Sequence, residues 1–144
     1  MENIRIERVS SITKTLAADL TNLLSELSET APVLEFDDVK ATIHSDAVDV
    51  FVAYDNDAPA GMLTVVFVTL LSGKKCIIED VVVSSRFRRR GIAAELVRSA
   101  VTYSRSHGAR YVDLTSRPER VAANELYQKL GFIQRQTHVY RLAL

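Results

Sequence analysis

Apolar and polar positions alternate at the start of the chain, where Ile4 and Ile6 interleave with Asn3, Arg5 and Glu7. This period of two predicts a half-buried strand over residues 3–8. Leu16, Leu20, Leu23, Leu24 and Leu27 then recur at helical spacing and predict an amphipathic helix over 12–28, following a Ser-Ser start signal and ended by Pro32. A shorter helix is expected over 36–44, opened by Asp37 and Asp38. β-branched residues fill 48–54, and Asp55-Asn56-Asp57 supplies turn chemistry before a second apolar strand over 60–70. The two form a hairpin. A second turn at 71–75 leads to a third strand over 76–83, apolar except for Glu79 and Asp80.

The rhythm changes after residue 90. Ile92, Ala93, Leu96, Val97, Ala100 and Val101 share one face of a helix over 90–107, with Gly108 at the capping position. A short strand is expected over 111–115. A helix then starts near Pro118 and Glu119, buries Ala122, Ala123, Leu126 and Leu130, and stops at Gly131. Residues 132–142 read as a final strand. The predicted order is strand, helix, helix, three strands, helix, strand, helix, strand. Hairpins make the first half antiparallel, and the strand–helix–strand unit over 76–115 makes a parallel crossover. The expected class is a mixed α/β sheet of about six strands with four helices, in one domain over 1–144.

Composition narrows the picture little. The 144 residues are 47% hydrophobic and 25% charged, ordinary for a globular chain. The longest nearly apolar stretch, 62–71, is well short of the roughly 20 residues that span a bilayer. The opening Met-Glu-Asn-Ile-Arg lacks the basic-then-apolar pattern of a signal peptide, so a cytoplasmic location is expected. The one cysteine, Cys76, excludes a disulfide framework and is expected to pack in the core; no Cys/His spacing resembles a zinc site, so no metal is expected. Charge is more informative. Residues 1–72 hold 4 Lys/Arg and 12 Asp/Glu, whereas residues 73–144 hold 14 and 6, and 13 of the 18 cations are arginine. Acidic and basic halves suggest two ligands of opposite charge.

The basic excess centres on one loop. A buried strand runs through Ile78-Glu-Asp-Val-Val-Val into Ser-Ser-Arg-Phe-Arg-Arg-Arg, then Gly91, then the long helix. A helix N-terminus has unpaired N–H groups and a positive dipole end, and Gly91 lets a ligand approach the backbone. Arg88, Arg89 and Arg90 add positive charge, and the combination suits a diphosphate. Neither a Walker loop nor a G-x-G-x-x-G fingerprint is present.

Arg88-Arg-Arg-Gly91-Ile-Ala93 resembles the cofactor motif Arg/Gln-x-x-Gly-x-Gly/Ala of the GNAT-superfamily acyltransferases. Asn124-Glu-Leu-Tyr127-Gln-Lys-Leu-Gly131-Phe132 resembles that family's second cofactor motif, and the element order agrees. Many members have Asn where this chain has Arg120. The resemblance implies an N-acetyltransferase that binds acetyl-coenzyme A (acetyl-CoA) where two parallel strands splay, with coenzyme A as product and no metal. It implies contacts of pantetheine with the backbone of Val81, Val82 and Val83. It places the diphosphate on Arg88, Arg89, Arg90, Gly91, Ile92 and Ala93, with Asn124 and Tyr127 also touching the cofactor. The amine would attack the thioester directly in a ternary complex.

That attack needs two proton transfers. Glu79 and Asp80 are the candidate bases. In a regular strand they face opposite sides, so at most one of them is expected at the substrate unless a bulge intervenes, and the resemblance favours Glu79. The resemblance makes Tyr127 the acid that protonates the departing thiolate. Glu26, Glu29, Glu35, Asp37, Asp38 and Asp46 suggest an acidic rim for a small amine, amino sugar or peptide acceptor. The Ile-Glu-Asp-Val stretch is also similar to that of glucosamine 6-phosphate N-acetyltransferases, whose acceptor would require basic residues at its site. A coenzyme A-binding sensor without turnover is the alternative. Nucleic-acid and membrane partners are not expected, and a homodimer is compatible with the class.

Overall fold

The computed structural model describes residues 3–144. One five-stranded sheet runs in chain order, β1 (Ile4–Arg8), β2 (Val48–Asp55), β3 (Ala58–Leu70), β4 (Gly73–Val83) and β5 (Val112–Asp113). The first three junctions are antiparallel and β4–β5 is parallel. Helices α1 (Lys14–Leu27), α2 (Phe36–Ile43), α3 (Ile92–Ser106) and α4 (Val121–Lys129) complete the fold. No helix among the described residues is long and apolar enough to cross a membrane.

Alternation along the central strands divides the core in two. Leu63, Val65, Cys76 and Ile78 face α3 and pack on Ile92, Leu96, Val97 and Ala100. Val50, Val52, Met62 and Val82 face the other way and pack on Leu20 and Leu23 of α1. Burial of each such large side chain stabilises by about 1.5–3 kcal/mol. Cys76 is wholly buried, in agreement with a packing role. Thr13 caps α1, its Oγ1 accepting from the Leu16 N–H at 3.1 Å.

Three elements differ from the sequence-based expectation. The 111–115 strand pairs only at Val112 and Asp113. Residues 132–142 form no strand and pair with none of the five, although their composition is strand-like. The observed sheet therefore has five strands, not six. The last helix begins at Val121 rather than near Pro118, because Arg117 to Arg120 form a turn closed by the Arg120 N–H on the Arg117 carbonyl at 3.1 Å.

Candidate active site

The parallel pair β4–β5 is joined only at Cys76 with Val112 and Ile77 with Asp113. Beyond that point the edge of β4 that faces β5, through Val81, Val82 and Val83, has no neighbouring strand. The result is a wedge-shaped opening. By extension of the parallel register, Ser116 is the residue that would oppose Asp80 if pairing continued. Its Oγ is the one buried side-chain polar atom without a partner among the described residues.

Beneath the opening the chain turns from β4 into α3. The Ser84 N–H donates to the Ala60 carbonyl at 2.8 Å, and the Ser85 N–H donates to Glu26 Oε1 at 3.0 Å. That second bond holds the Glu26 carboxyl below its ordinary pKa. Glu26 therefore fastens this turn to α1 and is not a free member of an acidic rim. Arg89 and Gly91 both take left-handed backbone, with φ of 63° and 74°. Gly91 adopts it without steric cost, and left-handed backbone in such a curl can gather successive N–H groups around an anion. No side chain caps α3, so its first-turn N–H groups, from Ile92 and Ala93 onward, remain open.

The three arginines are not equivalent. Arg90 donates to Asp55 Oδ2 at 2.7 Å, and Arg88 Nε reaches the Val83 carbonyl at 3.4 Å. Arg90 thus braces the loop against β2 instead of standing free for a phosphate. Arg89 is the member of the trio with no such contact among the described residues.

Glu79 and Asp80 do not face opposite sides. Glu79 pairs with Thr64 and Val82 with Met62, so two residues of β4, Asp80 and Val81, stand opposite Leu63 alone. This is a β-bulge, and Asp80 takes φ 55° within it. Cross-strand partners share a face, which puts Glu79 on the side of Thr64. The Thr64 hydroxyl donates to Asp80 Oδ2 at 3.4 Å, which puts Asp80 on that side too. Burial, reinforced by the Asp80 charge, raises the pKa of Glu79.

Tyr127 is 6% exposed and packs in the α3 core. A double cap holds it: the Gly131 N–H bonds the Gln128 carbonyl, and the Phe132 N–H bonds the Tyr127 carbonyl at 3.0 Å. Phe132 closes the motif edge-on, with ring centroids 6.0 Å apart. Burial raises the Tyr127 pKa above 10, so the hydroxyl keeps its proton at neutral pH. Asn124 lies one turn earlier, and its Nδ2 donates to the Arg117 carbonyl at 2.9 Å. One of its two amide N–H donors is thus used on the turn before α4, and the side-chain oxygen has no partner within the chain's described hydrogen bonds.

A cavity of about 440 Å³ opens on the α1–α2 side of the sheet. Its walls are mainly apolar, from Leu20, Leu24 and Leu27 of α1, Val39 and Ile43 of α2, and Met62 of β3. Thr64 and Asp80 form part of its wall, and Asp38 is the other carboxylate there. Of the expected acidic rim, only Asp38 reaches the cavity. No lysine, arginine or histidine lines it, so an acceptor phosphate would meet no counter-charge. Thr64, Ser116 and the anchoring role of Glu26 were not singled out from sequence. A hydroxyl within the apolar run of β3 was the available signal for Thr64; the other two depend on tertiary contacts.

Residues 16–132 match the Acetyltransferase (GNAT) family. A 56-residue segment is 41% identical to a mycothiol acetyltransferase of Corynebacterium glutamicum, covering 39% of this chain and 19% of that one. A 59-residue segment is 36% identical to an uncharacterized N-acetyltransferase of Methanocaldococcus jannaschii, covering 41% of this chain and 26% of that one. The matches thus span about a fifth to a quarter of these curated relatives. Among solved structures, an aminoglycoside acetyltransferase from an uncultured soil metagenomic sample superposes with TM-score 0.89 at 17% identity, over 99% of this chain and 97% of that one. An aminoglycoside N-acetyltransferase in complex with CoA gives TM-score 0.81 at 19% identity, over 97% and 94%.

Proposed function

This chain belongs to the GNAT acetyltransferase family, and from that premise we propose that it moves the acetyl group of acetyl-CoA to the primary amine of a small acceptor with an apolar body. The observation that carries this reading is the meeting of two sites at one bulge. The open edge of β4 lies toward β5, and the cavity holding Asp80 lies toward α1 and α2.

The residues present fit the cofactor. An unpaired strand edge can hydrogen-bond an extended pantetheine, the curled loop and uncapped helix suit a diphosphate, and Ser116 offers an unpartnered hydroxyl beside the opening. Val81, Val82 and Val83 would hold the pantetheine arm, and Arg88 to Ala93 the diphosphate, with Asn124 contributing its side-chain oxygen. When bound, acetyl-CoA supplies an activated acetyl thioester. The Val81 N–H stands at the bulge, where the ladder is interrupted, and is assigned to the developing oxyanion.

Asp80 draws the cationic amine to the cavity wall. Glu79 beside it, whose pKa is raised by burial and by the Asp80 charge, takes the ammonium proton directly or through water. Tyr127 retains its proton at neutral pH and is assigned to give it to the leaving thiolate. The mainly apolar walls favour an amine on a hydrocarbon or aromatic body over a polyhydroxylated sugar.

Calorimetry with coenzyme A tests the cofactor assignment. Gly91→Glu puts bulk and negative charge into the curl, and its binding is expected to fall at least a hundredfold, about 2.7 kcal/mol. A folded Gly91→Glu protein that binds as tightly as wild type would refute the placement.

A further inference from the structure

Thr64 puts a hydroxyl into an apolar run of β3, between Leu63 and Val65, and is 8% exposed. Leu63 and Val65 pack on α3, so alternation turns Thr64 to the other face, with Met62, where it forms part of the cavity wall. Burying a hydroxyl costs free energy unless a hydrogen bond offsets it. The bond Thr64 makes is a poor one. Its Oγ1 donates to Asp80 Oδ2 at 3.4 Å, well beyond the ~2.7–2.8 Å usual for two oxygens. No group among the described residues donates to that oxygen, so its acceptor capacity is unused. The other hydroxyls of the cavity wall are paired within their own segments, Ser28 with Thr30 at 3.0 Å and Thr42 with the Asp38 carbonyl at 3.1 Å.

We propose that Thr64 Oγ1 and the Asp80 carboxylate form a two-acceptor cradle that selects a primary amine. The inference rests on the acetyl-transfer reading and adds to it a specificity-determining residue. A neutral primary amine has two N–H bonds and one lone pair. Asp80 accepts one N–H, Thr64 Oγ1 accepts the other, and the lone pair is left for the thioester. The hydroxyl proton of Thr64 is turned to Asp80, so its oxygen meets the amine as an acceptor. A neutral secondary amine has a single N–H. Its extra alkyl group presses on Thr64 or Asp80 and leaves that group unpaired. An alcohol offers a single O–H and is at the same disadvantage. Discrimination therefore comes from a polar group stranded in a mainly apolar wall. The bulge makes the pair possible, because it brings Asp80 to the face of Thr64.

Phenethylamine and N-methylphenethylamine share an apolar body and differ by one N–H, and they test the cradle in two ways. Calorimetry of each amine on the coenzyme A complex reads binding, and thiol release from acetyl-CoA reads turnover. The wild-type protein is expected to favour the primary amine about 10–100-fold. Thr64→Val keeps the side-chain shape and removes the hydroxyl. It is expected to bind coenzyme A as the wild type does and to bring the two amines level. Thr64→Ser keeps the oxygen and is expected to retain the preference. A Thr64 that merely braced Asp80 would weaken both amines alike in Thr64→Val, and that unchanged ratio overturns the proposal. A wild type that treats the amines alike, or binds neither, overturns it too. A binding preference that Thr64→Val abolishes, with no thiol release from any variant, would instead sink acetyl transfer and support the cradle.

Discussion

Burial raises the pKa of both Tyr127 and Glu79, the acid and the base proposed for the transfer. Removal of the Tyr127 hydroxyl in Tyr127→Phe keeps the ring and its contact with Phe132. Cofactor affinity is expected to hold while kcat falls roughly 10²–10⁴-fold, which parallel calorimetry and steady-state kinetics would separate. Glu79 presents a linkage as well as a reaction. Its folded pKa lies above the ordinary 4.5. Its stabilising contribution is therefore complete below pH 4.5 and is lost as pH rises through the folded value. At neutral pH the partly desolvated charge beside Asp80 is a liability, so Glu79→Gln is expected to raise Tm there and to leave it unchanged in acid. The same variant is expected to lose turnover, with a defect that shrinks as pH rises and free amine accumulates. A pH-independent loss, or a Tm that falls at pH 7, would contradict the assignment. If Asp80→Asn showed the rescue instead, the roles of the two neighbours would be exchanged.

Elements position these groups, and their legibility in the sequence varied with how local their causes are. Period-two and period-3.6 patterns, read from side chains alone, located β1 to β4, α1 and α3 to within a few residues. The bulge was not readable, because it arises from a mismatch in residue count between β3 and β4 and leaves no mark on β4 itself. That mismatch brings Glu79 and Asp80 to one face, against the alternation rule. The missing sixth strand has a similar origin: residues 132–142 carry strand propensity, but pairing is a property of two segments. The glycine cap of α4 was legible at Gly131, and it offers a clean test. Gly131 has φ 97°, and a Cβ there would meet nothing within 4 Å, so substitution costs backbone strain without a clash. Gly131→Ala is expected to destabilise by about 1 kcal/mol or more, read from the denaturant midpoint. Gly131→Asn, which tolerates left-handed backbone better, is expected to recover part of the loss.

Across the whole molecule, the charge asymmetry acquires a structural meaning only in part. The basic half supplies the loop before α3, yet Arg90 of that loop is paired with Asp55 of the acidic half. The acidic half supplies α1 and α2, yet it brings mostly leucine and other apolar side chains to the cavity, with Asp38 its one carboxylate there. Charge counts along the chain could not reveal this, because the helices turn their charged faces outward. The acceptor preference proposed here therefore rests on the walls of the cavity. The most direct test is amine-dependent thiol release from acetyl-CoA by the wild-type protein, over a panel that sets apolar primary amines against aminoglycosides, polyamines and amino-sugar phosphates. The predicted result is turnover fastest with the apolar amines and slowest with the phosphorylated sugar. Coenzyme A binding without thiol release for any amine would contradict the account and leave a sensor in its place.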